Sequence, residues 1–499
     1  MRSPSLIPAL ALLCGGLALF VALGPLGGAP HLTDEVAYTL QARLFAAGQR
    51  VGPPTEAPGM LLYPFWVSAP LSYAVFPPGW PALLAVGEGV GLAAWVNPLL
   101  AMALPPLIWR LGQEWADEGT ARLAAAIMAC SPGLLLLAGS RMAHTSTLVG
   151  LLLALVIVAR GRDAAWAWGV GGLGLGYVLL ARPFDGVVLG GGILAAGLLR
   201  APGGVSRALL LLGPGIAAGL TLWDNHTLTG DAFTFPVNPW YDAWVADTGR
   251  APGCNRLGFG PEIGCHPTLG SLGHSPEKAA RIAGAAMLRL DRLLLGWPGL
   301  GLIAVLGAWR LRARWVSALA VALVVGGYAL YWSPGLAYGA RFYHPLYALL
   351  PLWLAAGLRV ILPGPWPWVA PLVALVGLAP VVRDLNAEPY WCVDADLGQL
   401  LRQQGITEGV VFLMARGRRE VSWPALGVEA FACEPMLESG DGLWLNDPNH
   451  PKGGLQLRHA LPDAEQTQAY LKAHHPGEAA YLVQHDVATD TRRLLRLTP

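Results

Sequence analysis

His31-Leu-Thr-Asp-Glu-Val-Ala-Tyr-Thr-Leu-Gln-Ala-Arg43 follows directly on the first long apolar segment of the chain. Thr33 has the chemistry of a helix N-cap, and the residues after it suit a helix. Spacings of four, seven and eleven place Asp34, Tyr38, Gln41 and Phe45 on one helix face. A carboxylate is thus held where the chain leaves an apolar span, beside groups able to bind a polar ligand. Asp34 and Glu35 would also complement the helix dipole in its first turn, whatever else they do.

The surroundings of this stretch are those of a membrane protein. Of 499 residues, 54% are hydrophobic and 13% charged, against about 25% charged in soluble domains. A net charge of +1 and the lack of a basic run give no footing for nucleic acid. Lys occurs only at Lys278, Lys452 and Lys472, so a cationic site within the membrane part has to be built from Arg. Arg2 precedes an apolar run from Leu6 to Leu26 that is long for a signal peptide and lacks a convincing cleavage motif. We expect it to be retained as the first transmembrane helix.

Apolar stretches fall at 6–26, 94–109, 119–138, 143–159, 164–181, 184–199, 206–223, 293–309, 315–332, 341–358 and 366–382. They predict a polytopic bundle of about eleven transmembrane helices. With the N-terminus in the cytoplasm, each short inner loop carries Arg: Arg110 and Arg122, Arg160 and Arg162, Arg200 and Arg207, Arg310 to Arg314, and Arg359. Two outer loops are long, residues 27–93 and 224–292. The first also holds Phe76-Pro-Pro-Gly-Trp-Pro81 and an apolar run, 82–94, too short to span comfortably and expected to lie in the outer interface. The second ends in Ser275-Pro-Glu, an N-cap with Pro at the first helical position, opening an amphipathic helix. Residues 1–383 thus form the membrane domain. Residues 384–499 are polar, with alternating β-like and helical stretches, and predict a small α/β domain outside the membrane. Asn446-Asp-Pro-Asn-His450 within it reads most simply as a turn.

Cys14 and Cys130 fall within spans, whereas Cys254, Cys265, Cys392 and Cys433 fall outside. The oxidising side permits disulfides, most simply 254–265 and 392–433. The spacing fits no standard zinc pattern, and any need for a divalent metal stays open.

Ionisable residues gather at the expected outer ends of the spans: Asp34 and Glu35, Arg141 and His144, Arg182 and Asp185, Asp224 and His226, Arg341 and His344. Singly, each has a plain structural role available, such as an Arg182–Asp185 pair three residues apart. Together they would line one rim beneath the two long loops.

These residues sit in motifs that resemble bacterial GT-C glycosyltransferases, the relatives of protein O-mannosyltransferases and of the lipid A aminoarabinose transferase. Asp34-Glu-Val-Ala-Tyr-Thr-Leu-Gln-Ala-Arg-Leu-Phe-Ala-Ala-Gly48 resembles their first-loop motif, and Pro77-Pro-Gly-Trp80 their Pro-Pro-Gly element. Ser131-Pro-Gly through Arg141-Met-Ala-His144 resembles a Ser-Pro…Ser-His segment, and Ala181-Arg-Pro-Phe-Asp185 a Thr-Arg-Pro element. Asn225-His-Thr-Leu-Thr-Gly230 and Tyr338-Gly-Ala-Arg-Phe-Tyr343 resemble two further elements, all in family order across residues 31–345. The polar tail is not covered. Phe76 stands where the aminoarabinose transferases carry Lys, and a second acidic residue has several candidates: Asp185, Asp224 and Glu262.

The resemblance implies a GT-C-like bundle that moves a sugar from a polyprenyl phosphate to an acceptor hydroxyl, with inversion, on the outer face of the cytoplasmic membrane. The acceptor would be a protein, lipid or glycan. Asp34 would be the general base, with Glu35 the competing choice. Arg341, Arg182 or Arg141, in that order, would hold the departing phosphate. Tyr38, Gln41, His144, Asp185, Asp224, Tyr343 and His344 would bind sugar or acceptor. A transporter or flippase is the rival reading. It explains the spans and rim charges, but less well the lopsided outer loops and the large outer tail, and it calls for mid-membrane ionisable groups, of which the spans are nearly free.

Overall fold

The computed structural model describes residues 5–54, 60, 63–161, 164–246, 252–265, 273–335, 337–387, 393, 395–417, 419–423, 428–433, 439–449, 454–461, 463–489 and 491–497. Each expected apolar stretch is occupied mainly by helix. Among the described residues, four helices are long and apolar enough to cross a membrane: Leu6–Leu23, Pro183–Arg200, Gly204–Thr229 and Trp366–Arg383. Two bent pairs raise the number to six: Glu118–Cys130 with Pro132–Gly139, bent by 51°, and Arg341–Ala348 with Leu350–Ile361, bent by 57°. Both breaks fall at proline, which cannot donate a helical hydrogen bond: Pro132 in the first pair, Pro345 and Pro351 in the second. The expected spans at 143–159, 164–181, 293–309 and 315–332 appear as shorter helices, His144–Arg160, Ala165–Ala181, Gly301–Arg310 and Arg314–Ala329. The stretch at 94–109 is divided between Val96–Ala101 and Leu104–Trp115. The chain is a helical membrane protein with fewer long crossings than the run of apolar residues suggests.

Small residues let these helices approach closely. Gly172 and Gly176 on Ala165–Ala181 face the backbone of Leu210 and Gly213 on Gly204–Thr229, where a Cβ would collide. In lipid, such small-residue seams replace the hydrophobic drive as the source of packing.

The Arg-bearing loops share one end of the bundle. Arg359 bonds to Asp117 and Thr120, Arg160 pairs with Glu114 at 3.7 Å, and the Arg312 amide donates to the Trp115 carbonyl at 3.0 Å. Arg141, His144, Asp185, Arg341 and His344 lie at the opposite ends of the same helices.

The tail has strands Gly409–Arg416, Leu455–His459, Ala480–Asp486 and Thr491–Leu497. They form one sheet in which Gly409–Arg416 pairs in parallel with Leu455–His459 on one side and Ala480–Asp486 on the other; Thr491–Leu497 adds antiparallel. Helices Asp396–Gln403 and Ala464–His474 accompany the sheet. A separate hairpin pairs Arg419–Trp423 with Val428–Cys433.

Helix Thr33–Ala46 lies between the bundle and this sheet. Tyr38 and Ala42 join the apolar core of the membrane helices, while Val36, Ala37, Leu40 and Leu44 pack with Leu397, Leu401, Val411 and Leu457. The helix is therefore buried on most sides rather than on one stripe. Asn446 and Asn449 do more than turn the chain: Arg43 donates to the Trp444 and Asn446 carbonyls at 2.6 and 2.7 Å, and Asn449 donates to the Arg43 carbonyl at 3.1 Å. His450 lies outside the described residues.

Cys254 and Cys265 are bonded to each other, and Cys14 and Cys130 are buried free thiols. Cys392 lies outside the described residues, as does the side chain of Cys433.

Candidate active site

The first helix of the site begins one residue earlier than a Thr33 cap requires. Leu32 is the N-cap, with extended backbone, and Thr33 is already helical, its hydroxyl buried without a hydrogen-bond partner. A Leu side chain cannot cap, so Glu35 three residues on reaches back instead: its Oε2 accepts from the amides of Leu32 at 2.9 Å and His31 at 2.7 Å. Glu35 Oε1 accepts from the Arg141 amide at 2.6 Å, and Oε2 also from the Tyr338 hydroxyl at 2.9 Å. Glu35 is fully buried. Burial pushes its carboxyl above the ordinary carboxylate range, against the opposing pull of these donors. Both oxygens are occupied, and the residue ties the first loop to two other segments of the rim.

Asp34 differs from its neighbour in every respect. Its side chain is 13% exposed, and among the described residues its ion pair is with Arg341, Oδ2 to Nη1 at 3.6 Å. That separation is too long for a direct hydrogen bond. Arg341 Nε and Nη1 are buried with no hydrogen-bond partner. A buried donor left unmade costs about 1–3 kcal/mol, so a guanidinium in this state is set up for an acceptor such as a phosphate oxygen. The short 3-10 helix Arg341–Ala348 turns Arg341, Tyr343 and His344 inward together. His144 faces His344, ring centroids 6.0 Å apart, and all four ring nitrogens lack partners, as does the Tyr343 hydroxyl.

The other two arginines are already engaged. Arg182 pairs with Asp185 at 2.5 Å and donates to the Tyr328 hydroxyl at 3.0 Å, which itself donates to Asp185 at 2.6 Å. Asp185 is thus held in a closed triad rather than presented to a ligand. A π-turn over Gly186–Gly190 follows and re-aims the rest of that helix. Arg141 donates to Thr39 Oγ1 at 3.0 Å and the Gly28 carbonyl at 2.7 Å, and meets Glu88 at 3.3 Å. It fastens the first loop.

Gln41 does not face a ligand space. It is 1% exposed, and its amide bridges the Arg50 carbonyl and the Ala74 amide, each at 2.9 Å. Asp224 is clamped by Arg50 in a two-pronged pair at 2.5 and 2.8 Å that joins the two long loops. Tyr38 packs on Phe76 at 4.8 Å and lies within electrostatic reach of Asp34, Arg182 and Arg341. Phe76 thus offers an aromatic face in the first loop. It begins a run of rings through Phe65, Trp240 and Tyr241 to Trp332 that closes the second loop over the first. Phe65 has a φ of +64°, an uncommon conformation for a bulky residue, at the junction of this run.

Gly79 of the Pro-Pro-Gly element fits its place by size. A Cβ there would sit 2.7 Å from the Ala181 amide nitrogen, immediately before Arg182. Trp80 donates from its indole to the Arg141 carbonyl at 2.7 Å. The element therefore holds two arginine-bearing segments against the first loop.

Glu88, Tyr328 and Arg50 were not legible as site residues. Glu88 alone left a trace, as the one carboxylate in the apolar run 82–94; it pairs with both Arg43, at 3.2 Å, and Arg141. No group of three or more His, Cys, Asp or Glu able to hold a metal ion occurs among the described residues.

No protein-family model matches the chain, and no curated protein matches it by sequence. Solved structures do match in shape. The crystal structure of ArnT from Cupriavidus metallidurans bound to undecaprenyl phosphate superposes with a TM-score of 0.55 at 13% identity, covering 97% of this chain and 94% of that one. The same protein in the apo state gives 0.52 at 14%, covering 96% and 92%. The chain shares the fold of that protein over nearly its whole length, the tail included.

Proposed function

We propose that the protein is a glycosyltransferase that moves a sugar from a polyprenyl-phosphate donor to an acceptor hydroxyl, with inversion at C1. One observation carries the reading: Asp34 and Arg341 stand 3.6 Å apart without a hydrogen bond between them, and Arg341 Nε and Nη1 have no hydrogen-bond partner, while the carboxylates and arginines around them are bonded. A base and a phosphate-binding cation side by side are what displacement of a lipid phosphate by a hydroxyl requires. The full-length likeness to a structure that holds undecaprenyl phosphate supports the same donor class.

In this reading Asp34 takes the proton of the acceptor hydroxyl as its oxygen bonds to C1. The bond from C1 to the phosphate oxygen breaks, and its electron pair leaves with the lipid phosphate. Arg341 stabilises the charge that develops there. His144, His344 and Tyr343 supply unpaired polar atoms for the sugar or phosphate, and the Phe76–Trp240 rings offer aromatic faces for a sugar ring. Arg182, Arg141, Gln41, Asp185, Asp224 and Glu35 then shape the site without touching the reactants. Residues 1–383 would be the membrane domain and 384–499 the extracytoplasmic one, with the Arg-rich end in the cytoplasm.

The test is a purified, reconstituted protein given polyprenyl-phosphate sugars and hydroxyl acceptors. Stoichiometric polyprenyl phosphate and a glycosylated product support the proposal. Donor that crosses the bilayer chemically unchanged would establish the flippase instead.

A further inference from the structure

A cavity of about 590 Å³ opens at the opposite end of the bundle from Asp34. Its walls are apolar and come mainly from three segments, represented by Leu151, Leu189, Ile193, Leu319 and Leu323, and it ends against Pro345 and Leu346. These last two follow His344 on the 3-10 turn, so this end abuts the outside of the turn that carries Arg341 and His344. Its other end is charged: Glu114, Arg200 and Arg312 line the mouth.

The length of the cavity is that of one leaflet. Leu151 and Leu189 lie nine and eleven residues from Arg160 and Arg200 on their helices, or about 14–16 Å at 1.5 Å per residue. Half the hydrocarbon core of a bilayer is about 15 Å. The charge at the mouth is net positive. Glu114 is taken by Arg160 at 3.7 Å, Arg200 has only the Ala159 carbonyl at 3.2 Å, and the Arg312 guanidinium has no ion pair or hydrogen bond among the described residues.

We propose that this slot is a specific site for an anionic phospholipid of the leaflet on the Arg-rich side. An acyl chain fills the apolar cavity up to Pro345, and the phosphodiester sits on Arg312 and Arg200. An apolar slot alone would take any acyl chain. Two cations without carboxylate partners at headgroup depth select the anionic ones. Neither Asp34 nor Arg341 lines the cavity, and the assignment does not depend on the reaction proposed above.

The experiment uses the full-length protein purified from membranes and reconstituted in mixed phosphatidylglycerol and phosphatidylcholine. A phosphatidylglycerol bearing a photoactivatable acyl chain should label peptides within 151–159 and 316–323, and unlabelled phosphatidylglycerol should compete at least fivefold better than phosphatidylcholine. Native mass spectrometry should show one retained phosphatidylglycerol, reduced at least fivefold in the Arg200→Gln/Arg312→Gln double variant and in the cavity-filling Ala320→Phe. Labelling is read on wild-type protein, so it decides the matter even if a variant fails to fold. Equal competition by the two phospholipids, labelling elsewhere, or displacement of the label by polyprenyl phosphate at equal concentration would each overturn the assignment.

Discussion

Asp34 Oδ2 stands 3.6 Å from Arg341 Nη1, and this pair joins the start of the first loop to a turn three hundred residues later without closing into a hydrogen bond. One residue on, Glu35 accepts from His31, Leu32, Arg141 and Tyr338 and is sealed from solvent. Two adjacent carboxylates of similar chemistry therefore stand in opposite states, one held only by an ion pair among the described residues and one accepting four hydrogen bonds.

Glu35→Gln should act on stability. The substitution turns an acceptor of four hydrogen bonds into an amide whose NH₂ faces donors. Hydrogen bonds to a charged group are worth about 1.5–3 kcal/mol each but are not additive, so a loss of roughly 2–4 kcal/mol is expected. A lowered unfolding midpoint in detergent, with residual activity in proportion to folded protein, checks this. Unchanged stability would mean that the Glu35 network does not hold the rim together.

Arg341 should separate from Arg182 and Arg141. Arg341→Gln should lower turnover by about 10²–10³-fold, the scale of removing one donor to developing charge. Arg341→Lys should recover only part, because an ammonium lacks the planar fork. Arg182→Gln and Arg141→Gln should lower the unfolding midpoint instead, by stranding Asp185 and loosening the first loop. Steady-state kinetics beside thermal melts separates the two outcomes.

Thiol labelling checks the pairing of the cysteines. Under denaturing, non-reducing conditions Cys14 and Cys130 should label, while Cys254 and Cys265 should label only after reduction. The proposed Cys392–Cys433 pair should behave like Cys254 and Cys265. Labelling of Cys392 and Cys433 before reduction would remove that second pair.

The sequence carried the helix at 33–46, the rim residues and the order of motifs, because apolar period, proline breaks and short charged motifs are local properties. Beyond the Arg182–Asp185 pair, three residues apart and readable locally, it did not carry which charges were already paired. Asp224 and Arg50 are 174 residues apart, and Tyr328 reaches Asp185 across 143. Nothing local distinguishes a clamped carboxylate from a free one. Glu35 shows the same limit at closest range: its three-residue reach to Leu32 is a local capping pattern, but its bonds to Arg141 and Tyr338 require the folded bundle. The sandwiching of helix Thr33–Ala46 by the tail was hidden too, since the partners of its second apolar face, Leu397, Val411 and Leu457, lie more than 350 residues away.

The most direct measurement is the rate of polyprenyl phosphate release by Asp34→Asn set against wild type, in reconstituted protein that still binds the lipid-linked donor. Asn keeps the size of the side chain and removes the base. A general base contributes about 10²–10⁴-fold, so release should fall by that factor with stability changed by at most roughly 1 kcal/mol. Release within a few-fold of wild type would contradict the account, and Asp34 would then be no more than a partner for Arg341.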